Sequence, residues 1–229
     1  PALAWLKELK AETGIPVATE VANAQHVEAC LENNIDYLWI GARTTVNPFY
    51  VQEIAEALRG VDIPILVKNP LHPDIGLWMG ALERFNKCGI SELLAIHRGF
   101  YSYEAAPYRN VPKWDLAIKL KRLMPNLPII CDPSHIAGDA ALISDLSQIA
   151  LDLDMDGLMI ETHCDPSSAL SDANQQITPD TLHQLMNDLI MPKAIHESEE
   201  FNSHLLKMRS VIDQYDNELL NVIQKRMEM

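Results

Sequence analysis

The chain has 229 residues, 48% apolar and 22% charged, with 18 Lys+Arg against 32 Asp+Glu and a formal net charge of −14. That balance suits a folded domain, or a domain with an appendage, and argues against disorder. The acidity excludes a nucleic-acid or anionic-membrane surface as the main partner, and no run of about 18 apolar residues is present to span a bilayer.

The opening stretch, PALAWLKELK, reads as an amphipathic helix with a Leu3, Leu6, Leu9 stripe rather than a secretory signal. The four cysteines, Cys30, Cys88, Cys131 and Cys164, lie far apart without a CxxC pair, which points to reduced thiols and a cytoplasmic location. Short apolar runs follow at residues 17–21, 37–40, 65–68, 93–97, 129–131 and 157–161. They are rich in Ile, Leu and Val and do not alternate with polar residues, as expected of parallel strands buried on both faces. Between them lie amphipathic stretches with helix-start signals. Asn23 is placed to cap a helix carrying Val27, Cys30 and Leu31, and Asn47-Pro48 opens one that stops at Gly60. Pro112 opens a helix carrying Leu116, Ile118 and Leu120, and Thr178-Pro179 opens the last one before Met191.

Regular alternation of strand and helix means a parallel α/β architecture. Six strands fit an open doubly wound sheet, or a (β/α)8 TIM barrel lacking its first two βα units. The chemistry at the strand ends favours the barrel. The C-terminal tips read Thr19-Glu20, then 41–45 (GARTT), Lys68-Asn69, His97-Arg98-Gly99, 132–135 (DPSH) and 161–163 (ETH). A barrel gathers all such tips at one mouth, whereas an open sheet uses mainly those beside its switch point. Charged groups placed directly after apolar strands are costly unless they pair or bind something.

Two groups stand out among the tips. Arg43, Lys68 and Arg98 would form a local anion trap within an acidic protein. His135, Glu161 and, in the following loop, Asp172 supply one imidazole and two carboxylates, a borderline-hard set suited to manganese, iron, cobalt or zinc. An anion trap beside a divalent metal suggests polarisation of a carbonyl next to a bound phosphate ester.

The series GARTT (41–45), VKN (67–69), HRG (97–99), CDPSH (131–135), MIETH (159–163) and ALSDANQQIT (169–178) resembles the motifs of 3-deoxy-D-arabino-heptulosonate 7-phosphate (DAHP) synthases, most closely the type I-beta branch. The resemblance covers residues 2–191. It implies condensation of phosphoenolpyruvate with erythrose 4-phosphate, with release of phosphate, as the first step of the shikimate pathway. It assigns Arg43, Lys68 and Arg98 to the phosphate and carboxylate of phosphoenolpyruvate, with Thr44 and Asp132 among the substrate-binding groups. His135, Glu161 and Asp172 match three of four metal ligands. Glu20 matches a strand-tip carboxylate near the attacking water, so Lys68, Glu20 and His135 are the catalytic candidates. Asp132 and His163 are expected to orient ligands, and Cys131 and Cys164 to be small buried side chains. The family's fourth ligand, a cysteine, and its lysine–proline–arginine–threonine segment belong to two barrel strands with no counterpart in this sequence. The expectation is therefore an N-terminally shortened chain that binds metal weakly and turns over slowly.

The boundaries expected are a barrel over 1–191, a polar linker over 192–202 and a helix over 203–229. In the helix, Leu205, Met208, Ile212, Tyr215, Leu219 and Val222 form a seam with three-four spacing, which asks for a partner helix. Residues 205–229 resemble the first helix of the all-helical chorismate mutases, with Arg209 and Arg226 matching its two ligand-binding arginines. That resemblance implies a bifunctional protein acting on chorismate and prephenate, and a homodimer or higher homo-oligomer. Two other readings are another metal-dependent sugar-phosphate aldolase barrel, and a non-catalytic binding or dimerisation fragment.

Overall fold

A computed structural model describes residues 2–103, 106–191 and 199–227. In chain order the elements are α1 (Ala2–Thr13), β1 (Ala18–Val21), α2 (Ala24–Glu32), β2 (Tyr37–Ile40), α3 (Ala42–Thr45), α4 (Pro48–Ala57), β3 (Ile65–Lys68) and α5 (Ile75–Lys87). They continue with β4 (Leu93–His97), α6 (Trp114–Leu123), β5 (Ile129–Cys131), α7 (Pro133–Ala137), α8 (Ile143–Asp152), β6 (Gly157–Leu158), α9 (Pro179–Asp188) and α10 (Glu199–Met227). The chain divides into two compact units, residues 1–191 and 192–229.

In the first unit all six strands are parallel and lie in the order β1-β2-β3-β4-β5-β6. A doubly wound sheet reverses its order at a switch point, whereas uninterrupted sequential order is that of a barrel wall. Among the described residues β1 and β6 each have a strand neighbour on one side only. The register sets Lys68 beside Ile96 and His97 beside Cys131, so consecutive strands end close to one another.

Local chemistry accounts for the elements. The Asn23 and Asn47 side chains accept backbone N–H groups at the starts of α2 and α4, and Thr178 does the same for α9. Gly60, with φ +81°, ends the α4 segment in a conformation open mainly to glycine. The strands are covered by helix faces that contribute Val27, Val51, Ile54, Trp78, Leu82, Phe85, Leu120 and Leu146, all fully or almost fully buried.

The barrel unit departs from the sequence reading in several places. The helix after Pro112 starts at Trp114, because Lys113 takes a left-handed conformation with φ 40°. The last strand ends at Leu158 rather than 161, because Ser134 Oγ accepts the Glu161 N–H at 3.0 Å and draws the chain towards α7. In α1, Leu3 and Leu6 pack against the core but Leu9 is 47% exposed.

The segment between β4 and α6 is cinched at its base. Phe100 N–H donates to Val111 O and Val111 N–H to Phe100 O, each at 2.8 Å, forming a short antiparallel bridge. Asn110 packs against Gly99, whose φ is +74° and whose Cβ would lie 2.8 Å from Asn110 O.

In the second unit, residues 192–198 of the expected linker lie outside the described residues, and α10 begins at Glu199 rather than Ser203. Met208, Ile212, Tyr215, Leu219 and Val222 are all more than half exposed, while the side chain of Leu205 lies outside the described residues. A Gln214–Glu218 hydrogen bond of 3.0 Å supports the polar face. Arg209 and Arg226 both lie on this helix, roughly 25 Å apart at the α-helical rise.

Candidate active site

The site is built at the C-terminal ends of the strands, starting from β3 and β4. Lys68 is the last residue of β3 and Arg98 directly follows β4. Asn69 locks these tips together: its Oδ1 accepts the Arg98 N–H at 2.7 Å and its Nδ2 donates to Gly99 O at 2.8 Å. Thr45 Oγ1 donates to Lys68 O at 2.9 Å, fastening the short α3 turn, and with it Arg43, to the same rim.

The centre of the site is Asp132, 1% exposed, which follows β5 and caps α7. Its Oδ1 accepts the His135 backbone N–H at 3.0 Å, its Oδ2 lies 2.9 Å from Lys68 Nζ, and His135 Nδ1 lies 2.9 Å from Oδ2. Burial alone would raise the Asp132 pKa. The His135 hydrogen bond and the Lys68 charge overcome that and hold it at about 2. The Asp132 carboxylate beside Nδ1 orients the His135 ring and turns its Nε2 towards Glu161.

His135 Nε2 lies 3.9 Å from Glu161 Oε1. Ligand atoms of His135, Glu161 and Asp172 all fall within 4.8 Å of one another. One oriented imidazole nitrogen and two carboxylates at that spacing fit a first-row divalent ion. The residues present therefore suit the metal expected from the sequence.

Glu20, Arg43, Lys68, Arg98, His135 and Asp172 line a single cavity of about 140 Å³, together with Gly41, Ala42, Leu71 and Arg109. Among the described residues no carboxylate forms an ion pair with Arg43 or Arg98. Burial disfavours the Arg98 charge, Asp132 offsets this in part, and Arg109 and Arg43 press the same way as burial. An anion at this spot would offset the mutual repulsion of these cations, the arrangement that a phosphate or carboxylate site requires. At the β1 edge, Trp39 Nε1 donates to Glu20 Oε2 at 3.4 Å. Gly41 leaves room for that carboxylate, since a Cβ there would lie 2.1 Å from Glu20 Oε1.

Not every sequence candidate faces the cavity. Asp132 supports it from behind, and Thr44 is buried in α3 and is not among the lining residues. His97 turns away into a box formed by Trp78, Phe100 and Trp114, with ring centroids 5.2–6.3 Å from its own. His163 Nδ1 accepts the Asp165 N–H at 3.0 Å, a contact within its own loop. Cys131 is buried as expected, but Cys164 is exposed, correcting that expectation. Arg209 and Arg226 belong to the second unit.

The sequence reading missed Arg109, Asn110 and Gln175. Asn110 accepts Arg98 Nη1 at 3.0 Å and donates to His135 O at 2.7 Å. Arg109 Nη1 donates to Asp172 Oδ1 at 2.7 Å and to Gln175 Oε1 at 2.6 Å. Arg109 and Asn110 lie in a long connection without an apolar pattern. Gln175 had one signal, its place inside the ALSDANQQIT stretch that also carries Asp172.

Known proteins resemble this chain in sequence and in fold. A phospho-2-dehydro-3-deoxyheptonate aldolase of Thermotoga maritima is 26% identical over 188 residues, which are 82% of this chain and 53% of that protein. A 2-dehydro-3-deoxyphosphooctonate aldolase of a Synechococcus species is 27% identical over 209 residues, covering 85% of this chain and 69% of the relative. The chain thus spans about half the length of the heptonate aldolase it matches. A truncated form of 3-deoxy-D-arabino-heptulosonate 7-phosphate synthase from Thermotoga maritima superposes with a TM-score of 0.71 at 25% identity, over 81% of this chain and 68% of that one. The model of the DAHP synthetase I family matches residues 1–193, which hold all six strands and every group lining the pocket, and on this the chain belongs to that family.

Proposed function

We propose that the barrel unit carries out the aldol-type condensation of phosphoenolpyruvate with erythrose 4-phosphate, giving DAHP and phosphate at the start of the shikimate pathway. The observation that carries this reading is the single cavity in which Arg43, Lys68 and Arg98 face His135 and Asp172. Arg43 and Arg98 are free of ion pairs among the described residues and would take the phosphate and carboxylate of phosphoenolpyruvate. Lys68, steered by Asp132, would orient the departing phosphate. His135, Glu161 and Asp172 would hold a manganese, iron, cobalt or zinc ion, whose chemistry is to polarise the aldehyde carbonyl of the acceptor. The C=C electron pair of phosphoenolpyruvate would form the new bond to that carbonyl carbon as the carbonyl π bond breaks, and the resulting alkoxide would take up a proton, balancing the one that the added water gives up. Glu20, held by Trp39, would receive a proton from the water that adds at the adjacent carbon before the carbon–oxygen bond to phosphate breaks.

Relatives named for a seven-carbon heptonate and an eight-carbon octonate both match, so acceptor length is the discriminating variable. The test combines calorimetry of phosphoenolpyruvate in the presence of Mn²⁺ with phosphate release on addition of a four- or five-carbon aldose phosphate. Saturable binding that weakens at least tenfold in Arg43→Ala, with the four-carbon acceptor preferred, is expected. Absence of saturable binding refutes the anion site, and preference for the five-carbon acceptor moves the assignment to the octonate reaction.

For the second unit we infer that α10 is the first helix of a chorismate mutase-like domain, fused to the barrel and pairing with a second copy. Its exposed apolar stripe supports this. At roughly 25 Å apart, Arg209 and Arg226 cannot both reach one small dianion, so each would meet chorismate or prephenate together with groups from a partner.

A further inference from the structure

The two carboxylates of the metal triad come from different segments and repel each other, yet one cation restrains both. Arg109 Nη1 donates to Asp172 Oδ1 at 2.7 Å and to Gln175 Oε1 at 2.6 Å. Gln175, 1% exposed, passes the restraint on by donating from Nε2 to Glu161 Oε2 at 2.6 Å. The other Glu161 oxygen, Oε1, is the one facing His135 Nε2.

The position of Arg109 is built into the fold. Its backbone N–H donates to Ala137 O at 3.0 Å and that of Asn110 to Ile136 O at 3.2 Å, pinning this stretch onto the end of α7. Gly138, at φ +70°, makes room there, since a Cβ on it would lie 2.4 Å from Arg109 Cβ.

We propose that Arg109 and Gln175 are positioning residues which fix Glu161 and Asp172 as one-oxygen donors and thereby set the metal preference of the site. The inference rests on reading His135, Glu161 and Asp172 as a metal site. Each carboxylate has one oxygen engaged in a hydrogen bond, so two-oxygen ligation competes with that bond for the oxygen's lone pairs and orientation. Calcium favours six to eight oxygens and often binds carboxylates through both. Transition ions accept an imidazole and single oxygens at about 2.0–2.2 Å. The relay therefore favours a compact transition ion over calcium. It also keeps the two carboxylates from drifting apart before the ion arrives.

The experiment measures Mn²⁺ binding to the full chain by electron paramagnetic resonance, with Ca²⁺ as competitor, in the wild type, Arg109→Met and Gln175→Leu. The Arg109 side chain is 42% exposed, so its truncation opens no core cavity. Circular dichroism establishes which variants are folded, and the second variant carries the test if the first is not. Each variant is expected to weaken Mn²⁺ binding by about 10–100-fold and Ca²⁺ binding much less, lowering the Mn²⁺/Ca²⁺ preference. A wild type that binds no Mn²⁺ overturns the metal reading, and this inference with it. A wild type that binds Mn²⁺, with folded variants that match it or lose both ions in parallel, overturns the relay alone.

Discussion

Behind the anion pocket, His97 is wholly buried among Trp78, Phe100 and Trp114, and neither ring nitrogen has a hydrogen-bond partner of good geometry. Burial lowers its pKa from 6.5 to about 4, against weaker opposing pulls from the Pro112 carbonyl and the Asp132 charge. The unfolded chain therefore binds a proton near pH 6.5 that the folded chain refuses until about pH 4. Stability from this residue is complete above pH 6.5 and falls as the pH drops towards 4. Between pH 7.5 and 5.5 the linkage amounts to about 1.4 kcal/mol. Replacing His97 with Leu, of similar volume, removes the linkage without leaving a void. Urea unfolding of wild type and His97→Leu at both pH values isolates the term, because packing changes and the other histidines cancel in the difference. The variant should gain about 1.4 kcal/mol relative to wild type on acidification. Stabilities that shift in parallel would show that the folded protein accepts the proton at His97, and would refute the argument.

Asp132→Asn should destabilise the barrel by about 3 kcal/mol in urea, because it strips the buried Lys68 of its counter-charge; a loss below about 1 kcal/mol, the scale of an exposed ion pair, would mean that solvent already screens Lys68. The Asp132 contribution is present above its unfolded value of 3.8 and is lost only as the pH falls towards about 2, so it adds nothing to the slope assigned to His97. For α10, sedimentation should show a dimer that Ile212→Asp converts to monomer, since a charge in the middle of an apolar seam is not tolerated. An unchanged sedimentation coefficient would remove the pairing role of this helix.

Most of the barrel wall was legible in the sequence because its strands are short apolar runs ending abruptly in charge. The runs at 37–40, 65–68, 93–97 and 129–131 coincide with β2 to β5. Where a side chain replaced a ladder bond the reading failed: Ser134 takes the Glu161 N–H, and β6 stops early. The anion and metal groups could be picked out because Lys68, Arg98 and Asp132 sit directly at strand ends. Direction was harder to read. His97 occupies a tip as Arg98 does, but adjacent residues of a strand face opposite ways, and the neighbouring aromatic rings claim His97. Arg109 was invisible because its position depends on Gly138 and on the Phe100–Val111 bridge, contacts that no local pattern encodes.

That bridge separates the two duties of the β4–α6 connection. Phe100 and Val111 close it at the base beside Arg98, whereas Arg109, inside the closed stretch, owes its placement to the Ala137 carbonyl at the end of α7. The connection thus answers to two anchors, a strand tip for one arginine and the end of a helix for the other.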